Sequence, residues 1–199
     1  MSDHGVHSCS TSFNSSTNSS LDSLPMNLNV SNKDRVFIGV FTRPGISQAS
    51  TERQPYGHAS FHWAIIVEPK RGGEGHLFDV DDRGANGWVY RRRVGYSANS
   101  SKYLLAMMMI GKVPREQRSE TLHLDKVCSS IPLPRLYSYP EENCVHWMQR
   151  AILELQRNGY AELFDIDTFM DDAASFAASC LRNGRAKVRK NYVDNRKFP

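Results

Sequence analysis

The alternation of apolar and polar positions changes rhythm once along this chain, near residue 144. Before that point the apolar residues come in short runs rich in β-branched and aromatic side chains, which favour strands. "RVFIGVFTR" (35–43) predicts a strand ended by Pro44-Gly45, and the polar stretch 45–57 predicts a loop. "FHWAIIVEP" (61–69) predicts a second strand, closed by Pro69. "KRGGEG" (70–75) is a turn and "HLFDV" (76–80) another strand, so 61–80 reads as a hairpin. "WVYRRRV" (88–94) predicts a strand on an exposed edge, and "YLLAMMMIGKV" (103–113) the most buried one. A loop containing Pro132 and Pro134 then leads to Cys144.

From Cys144 the spacing becomes helical. Val145, Met148, Ile152 and Leu155 recur at three or four residues, and Asn158-Gly159 is a stop signal. A second helix is predicted over about 167–182, starting at Asp167 or Thr168. It carries Phe169, Ala173, Phe176, Ala177 and Cys180 on one side and ends at Asn183-Gly184. Strands first and helices last predict an α+β domain: an antiparallel sheet of about five strands packed by C-terminal helices.

Composition narrows the setting. The 199 residues are 40% hydrophobic and 23% charged, enough for one globular domain with a core of its own. The Ser/Asn-rich stretch 1–33 predicts a disordered N-terminal segment, 34–183 the folded domain, and 184–199 a basic tail. No apolar run reaches the ~20 residues of a membrane span, and the first residues lack the basic start and apolar centre of a secretory signal. Cys9, Cys128, Cys144 and Cys180 show no paired spacing, so free thiols in a reducing, cytoplasmic setting are expected. The net charge of +4 is concentrated in Arg91, Arg92 and Arg93 and in the tail, either as solvated surface or as a surface that meets phosphates.

Asn143 is a good N-cap residue, which places Cys144 in a helical first turn. The positive end of a helix favours the thiolate, the nucleophilic form, and the Cys144 N–H is free to contribute to an oxyanion hole. A small residue closing the core is the competing reading. The chemistry needs a base, and His62 opens an apolar strand where a buried imidazole must find a partner. Pairing parity decides which. An odd pairing sum in the hairpin puts His62 on the face of Asp79 and Asp81; an even sum puts it on the face of His76. An Asp would fix the imidazole tautomer and stabilise its cation better than a second His. The turn allows either register.

"FHWAIIV", followed by "NCVHW" at a helix start, resembles the circularly permuted NlpC/P60 papain-like proteins. The motifs are most similar to those of lecithin:retinol acyltransferase and H-Rev107-type enzymes, and to small fungal proteins with the same layout. The resemblance spans roughly 35–182 and implies a permuted papain-like fold. On it, Cys144 falls on the nucleophile, His62 on the base, and Asp79 best fits the third position. It implies cysteine-dependent acyl transfer through a thioester, with amide-bond chemistry in secondary metabolism. A specialised version is an arginine-containing cyclodipeptide synthase that takes aminoacyl groups from tRNA. Val145 departs from the Glu of those acyltransferases, and no membrane tail is read, which argues against lipid substrates. The implied partners are a small acyl or aminoacyl substrate, with tRNA as carrier in the specialised version, and no membrane. No cofactor is implied. A third reading is a papain-like binding module without catalysis.

Other motifs carry less. His58 and His62 form HxxxH, but zinc needs further ligands and a helix to present them. His146 is a capping or packing residue; Trp63, Trp147 and Met107–Met109 are core. Asp171-Asp172 suits a helix N-terminus. Asp81 and Asp82, in the turn beside the site, are candidate contacts for a cationic substrate group, and Arg91, Arg92 and Arg93 are candidates for substrate contact or phosphate.

Overall fold

Six strands and three helices carry the fold in the computed structural model, which describes residues 33–47, 57–84, 87–114, 118–137 and 141–192. The strands are β1 (Lys33–Thr42), β2 (Phe61–Glu68), β3 (Gly75–Gly84), β4 (Gly87–Tyr96), β5 (Leu104–Pro114) and β6 (Val188–Asn191). The helices are α1 (Arg118–Ser129), α2 (Cys144–Arg157) and α3 (Ile166–Arg182). All lie in the unit Ser31–Pro199. The N-terminal segment read as disordered, and Cys9 in it, fall outside the described residues.

The strands form one mixed sheet in the order β4-β3-β2-β1-β5-β6. Every neighbouring pair is antiparallel except β5 and β6, which run parallel. The α+β class therefore holds, while the purely antiparallel sheet of about five strands is corrected. The sixth strand comes from the segment expected to be a basic tail. The long passage through three helices returns the chain to β5 in the same direction, as a parallel pair requires. Val188 pairs with Ala106, and the Tyr192 ring meets those of Phe164 and Phe169 at 5.1 and 4.7 Å. The basic residues between these apolar positions hid the strand.

A second difference is α1, where the sequence reads as a loop. Leu124 and Cys128 are buried on it, set among polar and charged residues that hide the helical period in the sequence. Tyr90 and Arg92 of β4 both bind Asp125 of α1, at 2.8 and 3.0 Å, tying the edge strand to the helix layer.

Alternation along each strand sorts the core. Val36, Ile38, Trp63, Ile65, Phe78 and Val80 face the side that also takes Leu124, Trp147, Ile152, Phe169 and Ala173 from the three helices. Phe37, Phe41, Ala64, Ile66, Leu77 and Met107 build a second cluster on the opposite face. Burying one such aliphatic or aromatic side chain contributes ~1.5–3 kcal/mol, so each face is strongly specified.

Gly111 sets how α2 lies on the sheet. A Cβ there would stand 1.9 Å from the Tyr160 carbonyl, so only glycine lets the turn after α2 rest on β5. The Glu162 N–H then donates to the Ile110 carbonyl at 2.9 Å. With its C-terminal end held this way, α2 presents its first residue, Cys144, beside the start of β2.

Candidate functional site

Phe61 and His62 open β2 and point to opposite faces. Phe61 enters the helix-side core, and His62 shares the face of Ala64 and Ile66. The register selects its partner: Ile65 lies opposite Phe78 and Val67 opposite His76, an odd pairing sum. Asp79 and Asp81 therefore face the same way as His62. His76 falls on the other face, stacked on Phe78 with ring centroids 6.2 Å apart.

His62 Nε2 donates to Asp79 Oδ2 at 2.9 Å, and the Cys144 thiol lies near the imidazole on the same cleft, close enough to favour its charged form. With Nε2 committed to Asp79, Nδ1 is the nitrogen left for sulfur. Burial works against charge on this ring. The hydrogen bond to Asp79 and the influence of Asp79 and Cys144 on its charge outweigh it, and His62 is raised to about 9. Burial alone would raise the Asp79 carboxyl; the hydrogen bonds and charges of His62 and Arg91 hold it below its ordinary value instead. The Phe41 ring, 5.9 Å from that of His62, flanks the imidazole.

Cys144 is placed by the start of α2. The Asn143 side chain accepts from the Val145 N–H at 2.9 Å, and the His146 ring accepts from the Asn143 N–H at 3.1 Å. His146 is thus a capping residue, as its position suggests. The Cys144 N–H has no acceptor within the helix, because the first-turn N–H groups of any helix lack one. Glu142, which the sequence reading passed over, anchors the approach. It accepts from the Arg135 N–H at 2.9 Å and from the Arg150 guanidinium, contacts that hold its carboxyl down at about 2.

Cys144 and His62 open onto a cleft of about 540 Å³. The end of β1 and the residues after it contribute Phe41, Thr42, Arg43, Pro44 and Ile46; β3 and β4 contribute Val80, Asp81, Asp82, Trp88, Arg91 and Arg93; Ser101 and Tyr103 complete the lining. Arg43 is fixed by a 2.8 Å bond from Nη1 to the Ala59 carbonyl. The aromatic and Arg43 contributions went unnoticed in the sequence because they lie far from the two motifs.

The remaining sequence candidates separate clearly. Asp81 and Asp82 line the cleft, and Asp82 is exposed there. Arg91 and Arg93 line it too, but both bind Asp79. Arg92 does not join them: alternation in β4 sends it to the other face, onto Asp125. Of the basic residues after 184, Arg189 binds buried Glu68 at 3.2 and 3.1 Å and Lys190 lies over the Phe176 ring. The two histidines of HxxxH diverge, His58 binding Asp171 of α3 at 2.8 Å. Among the described residues no three His, Cys, Asp or Glu side chains are grouped to hold a metal ion.

Residues 51–162 match a protein family, DUF6540, described as a family of unknown function. The chain belongs to this family. The DUF6540 span holds Cys144, His62, Asp79 and Arg91, and leaves β1, α3 and β6 outside it. Searches of curated proteins and of solved structures gave no match.

Proposed function

We propose that this chain is a thiol enzyme that transfers acyl groups through a thioester on Cys144. The observation that carries the reading is one imidazole hydrogen-bonded to a buried carboxylate and sharing the wall of an open cleft with a thiol that acts on its charge. A histidine that only filled space would need a partner for its buried nitrogen, but not a thiol beside it on an open cleft.

In this reading the thiol proton has already passed to His62 Nδ1 when substrate arrives, as the raised His62 favours, and the Cys144 sulfur adds to the substrate carbonyl. The oxyanion is stabilised by the Cys144 N–H at the positive end of α2. The C–N or C–O bond to the leaving group breaks as His62 returns the proton to it, leaving a thioester. An amine, alcohol or water then gives its proton to His62 and attacks the thioester carbonyl, and sulfur departs as thiolate. Asp79 orients the ring and offsets its positive charge throughout.

We also infer a circularly permuted papain-like arrangement. A histidine strand, then an acid strand, then the nucleophile's helix is the order that supports it. The tRNA-carried aminoacyl version draws less support, because Arg91, Arg92 and Arg93 are each bound by a carboxylate.

The test is expression in a heterologous host with untargeted metabolite analysis, wild type against Cys144→Ala, together with intact-mass analysis of the purified protein. A product or acyl adduct present only with Cys144 supports the reading. Identical metabolite profiles with no adduct would indicate a binding module.

A further inference from the structure

Asp79 is fully shut off from water, yet its two oxygens accept four hydrogen bonds: one from His62, two from Arg91 and one from Arg93. Asp81, two residues on and facing the same way, is only 6% exposed. Two buried carboxylates so placed cannot both stay ionised unless a cation stands between them; otherwise one takes up a proton.

Arg91 is that cation. It lies directly opposite Asp79 in the β3–β4 register. Its Nε donates to Oδ1 at 3.0 Å and one terminal nitrogen to Oδ2 at 2.7 Å, while the other terminal nitrogen holds Asp81. The planar fork uses both edges at once, which a lysine ammonium cannot do. Arg93 adds one bond at 3.1 Å from a side chain 49% exposed, a lesser contribution. Titratable groups that also act on this cluster include His62, with Cys144 beyond it, and Tyr96, and the exposed Asp82 lines the same cleft.

We propose that Arg91 is a positioning residue of this site, keeping Asp79 ionised and fixed against the charge of Asp81 so that one carboxylate oxygen always meets His62 Nε2. This rests on the Cys144–His62–Asp79 reading. It removes Arg91 from the substrate contacts and makes it part of the support beneath them.

The test is the rate of Cys144 alkylation by iodoacetamide as a function of pH, in wild type, Arg91→Ala, Arg91→Lys and the double variant Arg91→Ala/Asp81→Asn. Arg91→Ala should slow alkylation by at least about tenfold at neutral pH, as a misaligned base does. It should also raise the acid midpoint by about 1–3 pH units, the effect of removing a cation beside an Asp. Adding Asp81→Asn removes the like charge and should bring the midpoint back toward wild type. Arg91→Lys keeps charge without the fork, so it should recover the midpoint more than the rate. A purely structural arginine would give no rescue by Asp81→Asn, and that result overturns the proposal. So does a wild-type rate and midpoint in Arg91→Ala. If Arg91→Ala does not fold, Arg91→Lys with and without Asp81→Asn is judged by the same criteria. Wild-type Cys144 no more reactive than Cys180 would remove the nucleophile reading and this proposal together; a reactive wild type with unaltered Arg91 variants overturns Arg91 alone.

Discussion

His62 and Asp79 meet across the β2–β3 pairing, Nε2 to Oδ2 at 2.9 Å, with Asp79 wholly buried. A charge that cannot reach water must be balanced where it lies. Asp79 is balanced by an imidazole on one side and by two arginines on the other, so its loss would disturb both His62 and β4.

Asp79→Asn should destabilise the protein by about 2–4 kcal/mol, because it leaves partly buried guanidinium groups without their anion. Urea unfolding near neutral pH measures this. The same variant should slow Cys144 alkylation, whereas His76→Ala, on the opposite face, should leave that rate within about twofold. Equal effects of the two substitutions would contradict the pairing.

Reactivity should distinguish the thiols. Burial pushes the Cys128 and Cys180 thiols up from their ordinary value, and Cys128 is fully enclosed. Cys144 opens onto the cleft beside His62. Iodoacetamide at about pH 6.5, followed by peptide mapping, should label Cys144 at least about tenfold faster than either, as expected for a thiol beside an imidazolium. Equal rates would favour a cysteine that merely closes the core.

Stability should fall with rising pH through a window set by His62. Its folded value, about 9, lies above the unfolded 6.5, so its contribution is complete below pH 6.5 and is lost as pH rises through about 9. The full span corresponds to about 3 kcal/mol at most. Urea midpoints at the two ends of this window should separate for wild type and converge for His62→Gln. A His62→Gln profile as steep as wild type would assign the change to other groups.

The start of α2 can be tested separately. Asn143→Ala removes the side-chain acceptor of the Val145 N–H and should cost about 1 kcal/mol, with Asn143→Asp restoring most of it. Thermal melting reads the stability. If the cap also fixes Cys144, alkylation should slow in Asn143→Ala and recover in Asn143→Asp. A change in melting with no change in alkylation would confine the cap to stability.

Much of this molecule could be read locally. β2 and α2 each declare their type within a few residues, because the period of burial is written in adjacent side chains: strand-like at Phe61–Glu68, helical at Val145, Met148, Ile152 and Leu155. The capping role of His146 is equally local, since its partner is three residues away. α1 escaped because Leu124 and Cys128, buried four residues apart, sit among polar and charged neighbours, and β6 because its apolar residues are diluted by lysine and arginine.

By itself, then, the sequence determined the α+β class, the strand and helix that carry His62 and Cys144, and a choice of two partners for the imidazole. Tertiary structure decided that choice, since a one-residue shift in pairing would have turned His76 rather than Asp79 toward His62. It also decided that Arg91 and Arg93 share Asp79 while Arg92 turns to Asp125, although the three are consecutive in the chain. The physical reason is the same in each case. Alternation is a property of one strand, but register is a property of two, and it settles only when turns close and both faces of the sheet are packed.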